Sequence, residues 1–422
     1  MNLLLVSHDF SVTGAPNSLL RQAIYFRDAG HSVDIWSLGD GGLKPRYLEA
    51  GFNPIIINNS YEDIKQQYEK TNKKYDLIVC NTTVTYKAVD VLQHYNTPVV
   101  WFIRETKLVD DGIHNSSEFA EIFRNFYNIY TVSRYAANVS KKYNKHVRVI
   151  NNGIVDSFKD FKKQEKTIVF GFIGSIISIK GIDVLIAAFN KLAKDNKNVE
   201  LHIAGSYSHE YGENLRQQSC SAIKWLGETQ GADKQKFFDS IDILVVPSID
   251  DPCPLTVIEG AMLGKPIITT DTVGSNYMVN NKNGFIVKTG DVNDLYESMD
   301  KIIKKDLLKM SKRSRRMYFK YGTADKERKC VLKMLKDNIG NVPVIKHDVN
   351  VTKYDLRIPL IRYRKYINEI KFSVLGMQIF KIKNTGKDWI LYLFGMQMFK
   401  KHVSHGYAKI NIFGIRVFKY KI

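Results

Sequence analysis

The 422-residue chain predicts an α/β protein with two doubly wound, Rossmann-like domains in series and a small β-rich repeat extension behind them. Three observations carry this. Short apolar runs alternate with amphipathic stretches up to residue 150, and a lysine-rich, apolar-poor stretch, 157-SFKDFKKQEKT-167, then interrupts the alternation before it restarts. Beyond residue 341 the helical pattern gives way to a repeating strand-like unit. Alternating strands and helices imply parallel sheets covered on both faces, and the length exceeds what one ordinary core serves. The expected organisation is a first domain over 1–156, a linker over 157–167, a second domain over 168–340 and an extension over 341–422.

In the first domain the strand-like runs are 2-NLLLV-6, 32-SVDIW-36, 55-III-57, 76-DLIVC-80, 98-PVVWFI-103 and 146-HVRVI-150. Between the first two, 17-NSLLRQAIYFRDAG-30 keeps helical spacing at Leu20, Ile24 and Arg27, with Gly30 placed to end the helix. The second domain opens on 168-IVFGFIG-174, followed by a helix over 181–193, strands at 199-VELHIAG-205 and 243-ILVVP-247, a helix around Glu259 and a strand at 266-PIITTD-271. Two such domains on one linker bind ligands in the cleft between them, outside the carboxyl ends of the strands.

The extension holds three related segments, 374-VLGMQIFKIK-383, 393-LFGMQMFKKH-402 and 412-IFGIRVFKYK-421, whose glycines Gly376, Gly395 and Gly414 are nineteen apart both times. The apolar–polar alternation after each glycine is strand periodicity with a glycine bend or bulge. A structural β-module, a membrane-surface docking element and a partner or oligomer contact all fit this pattern. No RRM, KH or helix-turn-helix signature accompanies it, so nucleic acid is not an expected partner.

Composition narrows the classes further. Hydrophobic residues make up 44% and charged residues 25%, near the soluble globular average. The opening apolar run spans only Leu3 to Val6 before His8 and Asp9, which predicts a buried strand in place of a secretory leader. The run 389-WILYLFGMQMF-399 falls short of the ~20 residues that span a bilayer. Four scattered cysteines without a CxxC suit unpaired thiols in a reducing cytoplasm. There is no HExxH and no Asp-x-Asp, so neither a dedicated metal nor a resident cofactor is expected, and no histidine stands in a motif. The net charge is +19, and residues 345–422 hold sixteen Lys/Arg against four acids. A tail so basic can attract anionic lipid, an acidic polymer or nucleic acid.

Three constellations carry chemistry. In 7-SHDFSVTGAPNSLL-20 a strand ends, Thr13-Gly14-Ala15 turns, and Pro16 opens a helix whose start can face a phosphate. In 170-FGFIGSIISIKGIDVLI-186, Lys180-Gly181 stands at a helix start, where an ammonium beside a helix N-terminus would stabilise a leaving diphosphate. In 250-DDPCPLTVIEGAMLGKPIITTD-271, Pro252 and Pro254 break the strand exit and a helix begins near Leu255 with its first N–H groups unpaired. Asp251 lies before that turn and Glu259 inside the helix. Both can accept charge-assisted hydrogen bonds from sugar hydroxyls, each worth ~1.5–3 kcal/mol.

These segments, with 150-INNG-153, 225-WLG-227, the acid-x7-acid run 247-PSIDDPCPLTVIEGAMLGKPIITTDTVGS-275 and 283-NGFIV-287, resemble the family-4 retaining glycosyltransferases of the bacterial surface-polysaccharide type, across about residues 1–335. The resemblance implies a GT-B fold of two facing Rossmann-like domains. It implies that Lys180 binds the donor diphosphate, that Asp251 and the backbone from Cys253 through Pro254 and Leu255 to Thr256 hold the transferred sugar and phosphates, and that Glu259 holds the ribose. Gly14 would approach the diphosphate from the first domain, Gly174 and Ser175 would flank it, and backbone near Gly205 and Leu226 would meet the base. Three departures stand out. Asp251 replaces the usual Glu, Ser175 stands where an Arg is usual, and 274-GSNYM-278 lacks the second Gly and the Glu. In 101-WFIRE-105, Arg104 takes a position usually held by His, and could return a positive charge to the cleft.

The expectation is a cytoplasmic, metal-independent, retaining enzyme of hexosyltransferase type. It would move a sugar from a nucleotide-diphosphate donor to a glycan or lipid-linked glycan, and could be peripheral on the inner membrane face through residues 345–422. The alternative is a non-catalytic relative that scaffolds a glycan-assembly complex.

Overall fold

The computed structural model describes residues 1–157, 167–207, 209–229 and 231–340, and, as backbone, seven strands between residues 361 and 421. Most of the expected linker, residues 158–166, lies outside these, as do Gly376, Gly395 and Gly414. Met1–Pro343 form one compact unit and Val344–Ile422 another.

In the first unit the amino-terminal sheet is built from β1 (Asn2–Ser7), β2 (Ser32–Ser37), β3 (Ile55–Ile56), β4 (Leu77–Asn81), β5 (Val99–Ile103), β6 (Ile129–Thr131) and β7 (Val147–Val149), in the order β3-β2-β1-β4-β5-β6-β7. Every pairing is parallel. β1, β4 and β5 are buried along almost their whole length, as strands covered on both faces must be. The order reverses beside β1, so β1 and β4 diverge at a topological switch point that opens a crevice at their carboxyl ends. The second sheet, β8 (Ile168–Ile173), β9 (Val199–Ala204), β10 (Ile223–Gly227), β11 (Ile243–Val246), β12 (Ile267–Thr270) and β13 (Gly284–Val287), runs β10-β9-β8-β11-β12-β13 and switches beside β8. Each expected strand of the two domains is present. β6, β10 and β13 are additions, and β6 is three residues long, too short to show a period.

One helix departs from the expected boundaries. Ala324–Asn338 falls in the stretch read as the second domain, yet it packs on the Gly14–Asp28 helix of the first. Glu327 accepts from Arg21 Nε at 2.6 Å and from Tyr25 OH at 3.1 Å, and Asn338 Nδ2 donates to Tyr130 OH at 3.1 Å. A single apolar cluster accordingly runs from Leu3 and Phe26 through Val257 and Met278 to Val331 and Leu335. Both sheets thereby aim their carboxyl ends into one cleft. No helix among the described residues is long and apolar enough to cross a membrane.

The second unit is an antiparallel meander of β14 (Ile361–Tyr366), β15 (Glu369–Val374), β16 (Met377–Asn384), β17 (Asp388–Leu393), β18 (Met396–Ser404), β19 (Tyr407–Ile412) and β20 (Ile415–Lys421), each paired with the next. The register shifts at Phe372/Ser373, Leu391/Tyr392 and Ile410/Asn411. These bulges keep the nineteen-residue period of the sequence, and the residue left without a partner in each, Ile379, Met398 and Val417, lies in the strand after the glycine.

Candidate active site

A cavity of about 500 Å³ lies between the two sheets, lined from the first domain by residues including His8, Gly14, Arg104, Glu105 and Asn152, and from the second by Gly174, Ser175, Lys180, Lys234, Asp251 and Glu259. Cys253, Pro254, Leu255 and Thr256 complete the second wall. Of the sequence-derived site residues only Gly205 and Leu226 are outside the lining. Gly205, at the end of β9, backs the site. A Cβ there would stand 1.8 Å from Gly174 O, so no other residue lets the two strand ends meet. Leu226 is exposed on β10.

The second wall is built around the helix Leu255–Met262. Pro254 is its N-cap and no side chain caps it, so its first N–H groups face the cavity. Asp251 is therefore not a cap. Its Oδ1 accepts from Cys253 N–H at 3.3 Å, while Oδ2 accepts from Lys180 Nζ at 2.5 Å. Burial raises the Asp251 carboxyl above the usual range, with Lys180 pulling the other way. Lys180 closes a 3-10 turn, Ser178–Lys180, and the helix proper begins at Ile182 after Gly181. Gly181 has φ +66° and a Cβ would stand 2.2 Å from Pro247 O, so this glycine fixes Lys180 against the Pro247–Asp251 segment. Glu259, inside the helix, accepts from Lys234 Nζ at 2.6 Å through Oε1, and its Oε2 is buried with no hydrogen-bond partner.

The first wall gathers strand ends. Gly14 belongs to the first turn of the helix Gly14–Asp28, which starts before Pro16. Arg104, 9% exposed, donates from Nε to Asn81 Oδ1 at 2.5 Å and from Nη1 to Asn152 Oδ1 at 3.4 Å, and its Nη2 is buried without a partner. Burial lowers it to about 10, so it keeps its charge at neutral pH. Glu105 Oε2 accepts from the backbone N–H of Arg104 at 2.9 Å and of Thr83 at 3.2 Å. Thr82 supports this arrangement in a conformation glycine normally holds, φ +82° and ψ 163°. Its carbonyl accepts from Trp101 Nε1 at 2.7 Å and Thr85 Oγ1 at 2.9 Å. The walls also touch directly, since Thr106 Oγ1 and Tyr135 OH donate to Asp250, and Ser133 Oγ to Pro252 O at 2.6 Å.

Among the lining residues not assigned to the site from the sequence are His8, Glu105, Asn152 and Lys234. Although no histidine stands in a motif, His8, directly after β1, lines the cavity with Nδ1 buried and unpartnered. Burial, and after it the Arg104 charge, lower its pKa despite the Asp9 carboxylate beside it. The rule that ligands gather at the carboxyl ends of central strands pointed to it.

Comparison with known proteins bears on the family and the fold. Residues 1–123 match the model of glycosyl-transferase family 4, and residues 155–322 that of glycosyl transferases group 1. The capsular polysaccharide biosynthesis glycosyltransferase CapM of Staphylococcus aureus is 29% identical over 151 residues, which cover 33% of this chain and 38% of CapM. An uncharacterized glycosyltransferase of Haemophilus influenzae is 29% identical over 191 residues, 43% of this chain and 52% of that one. The chain thus spans about half or less of the length of these relatives. The crystal structure of Anabaena HepE in complex with UDP superposes with a TM-score of 0.68 at 18% identity, over 80% of this chain and 100% of that chain. The chain belongs to glycosyltransferase family 4, built on the GT-B fold.

Proposed function

We propose that the protein is a retaining hexosyltransferase that moves a sugar from a nucleotide-diphosphate sugar to a glycan acceptor in surface-polysaccharide synthesis. The observation that carries this is the pair of carboxylates, buried Asp251 and half-buried Glu259, flanking the uncapped start of the Leu255–Met262 helix with Lys180 alongside. A nucleotide sugar offers hydroxyls at both ends and two phosphates between them. Glu259 takes the ribose diol, Asp251 the hydroxyls of the transferred sugar, and the helix start and Lys180 the diphosphate. Lys180 must then leave Asp251 for the phosphate, a short move since the two already touch.

The reaction runs on one face of the sugar. The bond from the anomeric carbon to the β-phosphate oxygen breaks, the acceptor oxygen bonds the same carbon from the same side, and its proton passes to the departing phosphate. Arg104, through its unpartnered Nη2, adds from the first wall the positive charge that Ser175 does not supply. No step requires a metal. Removing one such charge costs ~10²-fold or more in rate, so Arg104→Ala retaining full transfer would end its assignment.

The name of CapM supports a capsule-type glycan, and the UDP in the HepE structure makes UDP the first nucleotide to try. A lipid-linked acceptor on the inner face of the cytoplasmic membrane fits the basic extension. The decisive measurement is thermal stabilisation of the whole chain by UDP, GDP and their sugar conjugates. One nucleotide is expected to raise Tm by several degrees, and Glu259→Ala to abolish the rise. No rise with any of them would leave a non-catalytic scaffold as the better reading.

A further inference from the structure

Lys234 is a cation of the cavity that no motif in the chain announces. It stands in the first turn of the helix Ala232–Ser240, where the positive end of the helix dipole disfavours a lysine that has no anion to meet. The neighbouring acid of that turn, Asp233, is engaged by Lys236 at 2.8 Å. Lys234 turns inward instead and rests on Glu259 Oε1 at 2.6 Å, its side chain 36% exposed and that of Glu259 19%. The arrangement repeats that of Lys180 on Asp251, at 2.5 Å, on the same wall. Each carboxylate reserved above for hydroxyl groups is therefore held by one lysine.

The two oxygens of Glu259 are not equivalent. Oε2 is buried and accepts nothing, although a buried carboxylate oxygen without a donor is costly, whereas Oε1 carries Lys234. A ribose diol on Glu259 would donate to both oxygens and release the ammonium from Oε1. The first phosphate follows the ribose by one methylene group, within reach of a four-carbon side chain resting on the ribose-binding carboxylate.

We propose that Lys234 binds the α-phosphate of the nucleoside diphosphate, so that the diphosphate is clamped between Lys234 and Lys180 across the start of the Leu255–Met262 helix. This inference rests on the donor reading given above. It gives the diphosphate a second cation on the wall of Lys180, in addition to Arg104 on the opposite wall, and it makes Glu259 the resting partner of Lys234 as well as a ribose ligand.

The test is calorimetric titration of the full chain with UDP and with uridine, which lacks the phosphates, for the wild type, Lys234→Met and Lys234→Arg. Lys234→Met is expected to weaken UDP by about 10- to 100-fold, the span of one charge-assisted hydrogen bond, while uridine shifts by less than about 3-fold. Lys234→Arg should recover most of the loss. Unchanged UDP affinity in Lys234→Met overturns the proposal, and so does an equal loss for UDP and uridine, which would mean that Lys234 only orients Glu259. A wild-type chain that binds neither UDP and uridine nor GDP and guanosine would sink the donor reading itself, a result separate from the two above.

Discussion

Glu105 shows how one buried residue ties the site to pH. Two backbone N–H groups and Arg104 favour its ionised form, yet burial prevails and raises the carboxyl from its ordinary 4.5 to about 7. Because the folded pKa lies above the unfolded one, the native state holds the proton more tightly. Stability is then greatest below the unfolded pKa and declines as pH rises from about 4.5 through 7, by up to ~3 kcal/mol. Glu105→Gln keeps the shape and cannot ionise, so its urea-unfolding free energy should gain on the wild type by that order between pH 5 and pH 8. An advantage that does not change with pH would refute the assignment. At this scale the sequence reveals what is contiguous. Asp251, Glu259 and Lys180 sit in motifs whose spacing places them at helix starts. His8, Asn81 and Asn152 come from three separate strand ends, and the Thr82 strain that aims Thr83 at Glu105 has no signature, since threonine is not a residue expected at positive φ.

The helix Ala324–Asn338 decides how the two sheets are held together. From the sequence this stretch falls in the second domain with no helix named there, and periodicity does not say which partner a helix meets, so its return to the first domain was illegible. The partner is fixed by charge as much as by packing. The Glu327 side chain is 1% exposed and receives Arg21 through two bonds, 2.6 and 2.9 Å, besides Tyr25. Removing one partner of a buried pair leaves the other charge unpaired, at a cost of about 3–5 kcal/mol, whereas replacing both by apolar groups of similar size is often near neutral. Glu327→Ala should therefore lower the unfolding free energy by that amount in a denaturant titration, and Arg21→Met with Glu327→Leu by less than half as much. Equal losses would mean that the bridge itself, and not the stranded charge, is what the fold relies on. The strands β1, β4, β8 and β11 were by contrast readable from their apolar runs, because central parallel strands admit little else.

Across the whole molecule the charge is divided between the two compact units. Sixteen of the basic residues, against four acids, fall in 345–422, so most of the net +19 belongs to the second unit. The nineteen-residue repeat was plain in the sequence, and the structure adds how it is paired. The register sets Phe372 beside Phe380, Leu391 beside Phe399 and Ile410 beside Phe418, while the alternate positions set Lys371 beside Lys381 and Lys409 beside Lys419. Like charges directly opposite destabilise a sheet unless something anionic answers them. A membrane rich in acidic lipid does so at ~1 kcal/mol per lysine near its surface, and a few such residues are enough for reversible attachment. The full chain should accordingly sediment with phosphatidylglycerol vesicles and not with phosphatidylcholine vesicles at about 0.1 M salt, and should be released at about 0.5 M, where screening shortens the range of the attraction. Replacing Lys371, Lys381, Lys409 and Lys419 with glutamate should weaken binding to the acidic vesicles by more than about tenfold, and leave the UDP-induced rise in Tm as it was. Equal binding to both lipids would point to apolar insertion. Binding to neither would mean that the lysine rows meet a different polyanion, the acidic glycan itself being the first to try.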